Sequence, residues 1–337
     1  MLRYKINKIS EIEKDKLPDF YKKAYPHRYK SLSNNWKWWY RTEKGGFEPL
    51  IISTKDKIIG QAGLIPVDLK IKERKIKAIW FVDFAILPEF RGKGYGQILT
   101  KEWMKICPNQ ITFCNNQSLK IFHKFGWENN LSTKRLLYPL NPLKFLPIIK
   151  KFDLNFSRKI LGYYIKRKFD KGTCIKPYSI NDNFKAISES FKTRKIADNN
   201  ETAEIVRDDN WLNWRLVECP YNKSLYFFEY DNNFALVHIF SKNNLKRINI
   251  IYTYFINEQK KDKLFLLILN WAIENNVDLM WLINSSKKLE NIFPKLFNKA
   301  LNFTVWSSDK NISETLKKGL PDAQGIDSDI DSSLHVE

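Results

Sequence analysis

The chain has 337 residues, of which 43% are hydrophobic, 15% aromatic and 28% charged. This composition is too apolar for a disordered chain, and the length exceeds what one hydrophobic core usually supports, so we expect two globular domains. The net charge of +20 is spread along the whole chain, which favours a solvated basic surface and makes nucleic acid a partner that we do not expect.

The four cysteines, at positions 107, 114, 174 and 219, have neither metal-ligand spacing nor a disulfide pattern. We therefore expect no metal and a reducing, cytoplasmic location. The first ten residues lack the apolar segment of a signal peptide, and no apolar stretch reaches the ~18 residues of a spanning helix, so membrane insertion is not expected. No pattern indicates an oligomeric state.

The first half of the chain predicts alternating helices and strands. Residues 1–45 are predicted to be helical and irregular, and they end in an aromatic cluster from Trp36 to Tyr40. PLIIST and IIGQAGLIPVDLKI predict a β-hairpin, and AIWFVDFAIL predicts a third strand. A glycine-rich loop then leads into a helix over about 96–106. The strand ITFCNN, the helix SLKIFHKFGW and the strand RLLYPL follow.

The second half repeats this order. A helix (NDNFKAISESFK) and the segment WLNWR precede a predicted hairpin, LYFFEY and FALVHIF. A strand near INIIYTYF, a helix (KLFLLILNWAIENN), a strand (DLMWLI) and a helix near LENIFPKLF complete it. The repeat predicts a diverged duplication, with domains at 1–140 and 177–310 and a connection at 141–176. Because Trp211 and Trp214 form a second aromatic cluster, packing is the first interpretation of both clusters, ahead of a role in an acceptor pocket.

Residues 311–337 form a polar, acidic tail that we expect to be disordered or docked on the basic body. Asp327, Asp329 and Asp331 alternate as metal ligands can, but the tail lacks the glycine and final glutamate of a calcium loop.

The segment FVDFAILPEFRGKGYG, residues 81–96, has the features of an anion-binding loop. A helix N-terminus offers unpaired backbone N–H groups and partial positive charge, which together bind phosphate. Glycines at 92, 94 and 96 allow close approach of the backbone, and Arg91 and Lys93 add charge. The spacing is neither that of a P-loop nor that of a Rossmann fingerprint.

This pattern resembles motif A of the GNAT acetyltransferase superfamily, in which Arg-x-x-Gly-x-Gly follows a strand and a short proline-containing turn. Here Arg91, Gly94 and Gly96 follow LPEF. A second match is formed by Asn115, Ser118, Phe122 and Gly126-Trp127. The resemblance covers about residues 1–140. With the repeat, it implies an α/β (α+β) protein with two GNAT-like domains, each a central mixed, mostly antiparallel sheet flanked by helices.

The resemblance also implies a co-substrate, acyl-CoA and usually acetyl-CoA. Its pyrophosphate would be held by Arg91, Gly92, Lys93, Gly94, Tyr95 and Gly96. Its pantetheine arm would pair with the backbone of Phe84, Ala85 and Ile86, in a gap between two parallel strands, and Asn115 and Ser118 would lie beside it. The reaction would be direct attack on the thioester by the primary amine of a small acceptor, such as an amino sugar or amino acid.

Such a transfer needs a base for the ammonium group and an acid for the departing thiolate. The family often supplies the acid as a tyrosine, where this sequence has Phe122. Our catalytic candidates are Asp83, on the strand leading into the site, and His123. Cys114 lies near the thioester path, but a lone buried cysteine is most often inert packing.

In the second half INEQKKDK replaces the glycine loop, so we expect no cofactor there.

Two other functions remain open. Tandem GNAT-like architecture is also found in Fem-like aminoacyl transferases, which use aminoacyl-tRNA. Loss of the acid is also compatible with a non-catalytic acyl-CoA-binding module.

Overall fold

The structure, a computed structural model, describes residues 3–42, 46–55, 57–130, 133–141, 144, 177–193, 202–256, 258–284, 298–318 and 323–327. Nearly all of the predicted connection at 141–176 and the predicted helix near 289–297 lie outside these ranges. The strands are β1 (Lys5–Lys8), β2 (Leu50–Thr54), β3 (Lys57–Ile71), β4 (Arg74–Ile86), β5 (Asn109–Cys114), β6 (Glu128–Asn130), β7 (Lys134–Pro139), β8 (Tyr178–Ser179), β9 (Ala203–Ile205), β10 (Leu225–Tyr230), β11 (Asn233–Lys242), β12 (Leu245–Tyr254), β13 (Leu279–Asn284), β14 (Asn298–Ala300) and β15 (Asn302–Ser307). The helices are α1 (Lys16–Ala24), α2 (Tyr29–Trp39), α3 (Tyr95–Met104), α4 (Asn116–Lys124), α5 (Ile180–Thr193), α6 (Asp209–Leu212), α7 (Glu258–Glu274) and α8 (Lys310–Lys318).

The strands form two mixed, mostly antiparallel sheets, which confirms the predicted fold class. The first sheet has the order β1-β2-β3-β4-β5-β15-β6, and β9 also pairs with β3. The second has the order β14-β7-β13-β12-β11-β10-β8. The described part of each sheet contains one parallel pair joined through a helix: β4 and β5 through α3, and β12 and β13 through α7. The hairpin predicted from LYFFEY and FALVHIF is confirmed by the antiparallel pairing of β10 and β11.

The two sheets exchange strands, which the predicted boundaries did not foresee. β7 belongs to the predicted domain 1–140, yet it pairs with β13 and β14 in the second sheet. β15 belongs to the predicted domain 177–310, yet it inserts between β5 and β6 of the first sheet. Each strand protects backbone groups that would otherwise form an exposed sheet edge. The division at 140 and 177 stays a prediction, but strand pairing does not follow it.

Three hydrophobic clusters hold this arrangement together. One lies between the first sheet and α3 and α4, and one packs the second sheet against α7. The largest unites α1, α2 and α5 with residues of both sheets, including Trp80 of β4 and Trp281 of β13. Among the described helices, none is long and apolar enough to cross a membrane.

The aromatic clusters of the two halves meet directly. The indole N–H of Trp38 donates to the carbonyl of Trp214 at 2.9 Å, and the indole N–H of Trp214 donates to the carbonyl of Trp38 at 2.7 Å. The guanidinium group of Arg215 lies 5.0 Å from the ring centre of Trp39. This reciprocal contact supports the packing interpretation of both clusters.

Part of the predicted tail is ordered. It begins within α8, which packs on β15, and residues 323–327 are buried beside β12. Asp327 forms a buried ion pair with Arg207 at 2.6 Å. Asp329 and Asp331 lie outside the described residues. Among the residues that the structure describes, no group of His, Cys, Asp or Glu side chains could hold a metal ion.

Candidate acyl-CoA site

The glycine loop has the backbone geometry that an anion site requires. After a 3₁₀ turn at Pro88–Phe90, Gly92 and Gly94 adopt left-handed φ angles of +73° and +83°. Gly94 is the N-cap of α3, so the N–H groups in the first turn of this helix have no hydrogen-bond partner within the helix. A Cβ atom added at Gly92 or Gly94 would have no neighbour within 4 Å. The helix N-terminus therefore opens onto free space.

Two predicted cofactor residues of the loop stabilise the loop itself. The side chain of Arg91 donates to the carbonyl of Ile86 at 2.9 Å, and that of Lys93 donates to the carbonyl of Glu89 at 2.8 Å. Both cations remain exposed beside the helix N-terminus. Tyr95 is buried and packs edge-on against two aromatic rings, which indicates a packing role.

β4 and β5 separate beside this loop. Their parallel pairing comprises Ile79 with Gln110 and Trp80 with Ile111. One cause is a β-bulge, because the pairing of β3 with β4 shifts register between Gln61 and Gly63. The gap predicted from the resemblance is thus present in the backbone.

The predicted pantetheine edge lies along this gap. Ala85 and Ile86 pair with β3 on one side, Phe84 lies in the bulge, and no described strand pairs with the other edge of residues 84–86. Where the strands diverge, the hydroxyl of Thr112 on β5 donates to the carbonyl of Phe81 at 2.6 Å. An extended chain could therefore add to β4 beyond this point through backbone hydrogen bonds.

Asn115 and Ser118 lie at the carboxyl end of β5, at the mouth of the gap. The Asn115 side chain caps α4, accepting hydrogen bonds from the backbone N–H groups of Gln117 and Ser118 at 3.0 and 2.9 Å. The structure thus gives Asn115 a capping role that the sequence pattern did not indicate. Direct contact of either side chain with a cofactor stays a prediction.

Phe122, at the position of the usual acid, is fully buried. Its ring stacks on Trp127 and contacts Phe81 and Phe84, so this position provides packing and no proton. The neighbouring His123 is exposed, and its Nδ1 lies 3.1 Å from the carbonyl of Trp127. This contact holds the ring against the end of its own helix, and a catalytic role for His123 stays a prediction.

Asp83 is the bulge residue of β4, with a left-handed φ of +50°. Its buried carboxylate pairs with Arg28 at 2.7 Å and accepts hydrogen bonds from Trp39 at 2.8 Å and Tyr40 at 3.0 Å. Its partners come from α2 and the residues flanking it, whereas His123 belongs to α4 on the opposite face of the sheet. The two catalytic candidates are therefore not brought together. To act as a base, Asp83 would have to exchange one of these partners.

A buried hydrogen-bond chain extends from Asp83. The side chain of Gln61 donates to the hydroxyl of Tyr40 at 2.7 Å and accepts from the hydroxyl of Tyr21 at 3.0 Å. Burial, followed by the charge of Asp83, raises the pKa of both tyrosines, so both stay protonated at neutral pH. No sequence pattern indicated this chain of hydrogen bonds, because its members come from separate elements.

Cys114 is predicted to be unreactive. Burial raises the pKa of its thiol to about 11, although the Thr304 hydroxyl, 3.7 Å away, acts in the opposite direction. At pH 8 the thiol is protonated, so alkylation by iodoacetamide should be about 100-fold slower in the native protein than in the urea-unfolded chain. Peptide mapping by mass spectrometry measures this rate. Rapid native labelling at pH 8 would contradict it and reopen a covalent route.

Residues 7–127 match the acetyltransferase (GNAT) family model. A comparison with curated protein sequences finds no significant match. Residues 7–127 are therefore a domain of the GNAT acetyltransferase family, as the resemblance predicted.

Solved structures extend the fold likeness over most of the chain. A GCN5-related N-acetyltransferase from Kribbella flavida superimposes with a TM-score of 0.59 at 12% identity, over 90% of this chain and 70% of that one. One from Anabaena variabilis gives 0.57 at 11% identity, over 90% and 72%. Saccharomyces cerevisiae N-myristoyltransferase with bound myristoyl-CoA gives 0.57 at 12% identity, over 90% and 82%. At such identities the likeness shows a shared fold.

Proposed function

We propose that this protein is an acyl-CoA-dependent N-acyltransferase that transfers an acetyl group to the primary amine of a small acceptor in the cytoplasm. The observation that carries the proposal is the position of the glycine loop beside the separated strands β4 and β5. A helix N-terminus for phosphates and an unpaired strand edge for an amide-containing arm are the two features that CoA requires. The family of residues 7–127 supports the same reaction class.

The residues of the site have distinct roles in this proposal. The N–H groups around Gly94 and the first turn of α3 bind the pyrophosphate, and the edge at 84–86 orients the thioester in the gap. The acceptor amine attacks the thioester carbon directly, after a base has removed one proton. Asp83 is the proposed base, directly or through water, and His123 is the second candidate. Since the phenyl ring of Phe122 has no acidic proton to donate, the departing thiolate takes a proton from water or from another residue.

The length of the acyl chain is open to experiment, because one structural neighbour holds myristoyl-CoA. We propose acetyl-CoA as the first donor to test. Phe81 and Phe84, on β4 beside the gap, pack against each other and against Phe122 of α4.

The proposed function is tested by a screen of amine acceptors, in which the release of free CoA from acetyl-CoA is measured. Myristoyl-CoA is tested in parallel as a second donor. We expect release that depends on an added amine and that is absent in Gly94→Glu. Tight binding of acetyl-CoA without transfer to any amine would favour the non-catalytic module. Transfer from aminoacyl-tRNA, with no response to acetyl-CoA, would favour the Fem-like alternative.

A further inference from the structure

The second sheet also has a gap between its two parallel strands, here called the β12–β13 gap. The pairing of these strands ends at Ile250 and Leu282, whereas β12 continues to Tyr254. The pairing of β12 with β11 shifts register at Ile251, so a bulge borders this gap as one borders the gap beside β4. No described strand pairs with the edge of residues 251–254 that faces away from β11. An extended segment could therefore add to β12 here through backbone hydrogen bonds.

Residues 323–327 of the same chain fill this gap. The side-chain amide of Gln324 accepts a hydrogen bond from the N–H of Thr253 at 2.7 Å and donates one to its carbonyl at 2.8 Å. One primary amide thus makes both of the backbone hydrogen bonds that an antiparallel neighbour would make with Thr253. Gly325 lies directly on the backbone of β12, because a Cβ atom added to it would stand 3.6 Å from the Cα atom of Ile251. The segment therefore lies where a further strand would pair.

A buried arginine holds the end of this segment. The guanidinium group of Arg207 donates to the two carboxylate oxygens of Asp327 at 3.1 and 2.6 Å. Of these two side chains, that of Arg207 is 0% exposed and that of Asp327 is 1% exposed. The guanidinium carbon also lies 4.8 Å from the ring centre of Tyr252 on β12. A planar guanidinium group in this two-point geometry is selective for a carboxylate, and its burial makes an anionic partner necessary.

Apolar contacts complete the site between these two polar anchors. Ile326 is fully buried in the cluster that unites the two sheets, and Ala323 is buried in the same cluster. The carbonyl of Ile326 accepts a hydrogen bond at 2.7 Å from the side chain of Arg215, which is itself buried. All of the recognition is thus made by five consecutive residues.

We infer that the β12–β13 gap is a peptide-binding site, which residues 323–327 of the same chain occupy. Its ligand carries a primary amide, followed three residues later by a carboxylate, with an apolar side chain between them. Where the proposed function gives β4 the amides of pantetheine, β12 has the amide of Gln324. The site does not depend on acyl transfer, because none of the contacts that define it involves β4 or the glycine loop.

The first test removes one anchor from the full chain. Gln324→Met nearly keeps the size of the side chain but takes this partner from the N–H and carbonyl of Thr253, so Tm should fall by about 4 °C or more. Amide hydrogen exchange at Thr253 should become about tenfold faster or more. The matched control is Gln117→Met, at an exposed glutamine of α4, which should change neither quantity. Unchanged exchange at Thr253 in Gln324→Met would overturn the inference.

The second test supplies the segment as a free peptide. Ile326→Asp places a charge in the apolar core and should displace the segment, which opens the gap. The capped peptide PDAQGIDSD, residues 321–329, is then added at about 1 mM and should raise the Tm of this variant by about 3 °C or more. The Tm of the wild-type protein, whose site is filled, should not change. The same peptide with Gln324→Met and Asp327→Asn should have no effect on either protein.

Two results of the second test would overturn the site. One is a folded Ile326→Asp protein that the peptide does not stabilise, and the other is equal stabilisation by the altered peptide. Pantetheine is the comparison ligand, because it also carries amides on an extended chain. Stabilisation of Ile326→Asp by pantetheine but not by the peptide would show that the gap takes a cofactor arm instead. If Ile326→Asp does not fold even with the peptide, the exchange at Thr253 in Gln324→Met decides.

Discussion

Replacing Gly94 by glutamate is expected to lower the affinity for acetyl-CoA by about 100-fold or more while the protein stays folded. The new carboxylate would stand in the open space at the N-terminus of α3, where the proposal puts the pyrophosphate. It would repel the phosphates and displace charge-assisted hydrogen bonds that contribute about 1.5–3 kcal/mol each. Isothermal titration calorimetry with acetyl-CoA measures the loss.

Two controls separate this effect from backbone strain. Gly126→Glu introduces the same side chain at a similar φ of +76°, also with no neighbour within 4 Å, but at the C-terminal end of α4. It should cost similar stability and leave the CoA affinity unchanged. Gly94→Ala adds strain without charge and should weaken binding less than glutamate does. A folded Gly94→Glu protein with wild-type affinity would remove the proposed site.

Replacing Asp83 by asparagine is expected to destabilise the protein by about 3–5 kcal/mol, because it leaves the buried Arg28 without its ion-pair partner. Asparagine is the suitable replacement, since it tolerates the left-handed φ of +50° that most side chains disfavour. Urea unfolding followed by tryptophan fluorescence gives the free energy of unfolding.

The matched control is Asp68→Asn in the neighbouring strand β3. Asp68 pairs with Lys75 and Lys77, both largely exposed, so its replacement should cost less than about 1 kcal/mol. Equal destabilisation by the two variants would contradict the structural role of Asp83. If Asp83 is also the general base, folded Asp83→Asn should turn over about 100-fold more slowly with an unchanged KM for acetyl-CoA. Full turnover per folded molecule would end its candidacy.

Much of the cofactor region could be predicted because its signals are local. Gly92 and Gly94 stand where the backbone needs positive φ, and Gly94 is the N-cap that exposes the first turn of α3. Alternation and turn residues likewise predicted β2, β3 and β4 and the hairpin of β10 and β11. The departure at Phe122 was also visible in the sequence, and its burial follows from its place on the inner face of α4.

The partners of the catalytic candidates could not be predicted. Asp83 was visible as a carboxylate on the strand that enters the site, but Arg28 and Trp39 are 55 and 44 positions away. No periodicity links such positions, because an ion pair between elements depends on how those elements pack.

The sequence by itself determined most of the helices and strands, the anion loop and the GNAT resemblance, since each is encoded within a few dozen consecutive residues, whereas the internal duplication stays a prediction. Only the tertiary structure decided which sheet each strand joins. β15 pairs with β5, from which it is separated by about 190 positions in the sequence. β7 lies in the first half of the sequence but pairs with strands of the second sheet. A strand's sequence specifies which of its faces is buried, whereas its backbone hydrogen bonds are alike for every neighbour, so the choice of neighbour is made by packing of the whole core.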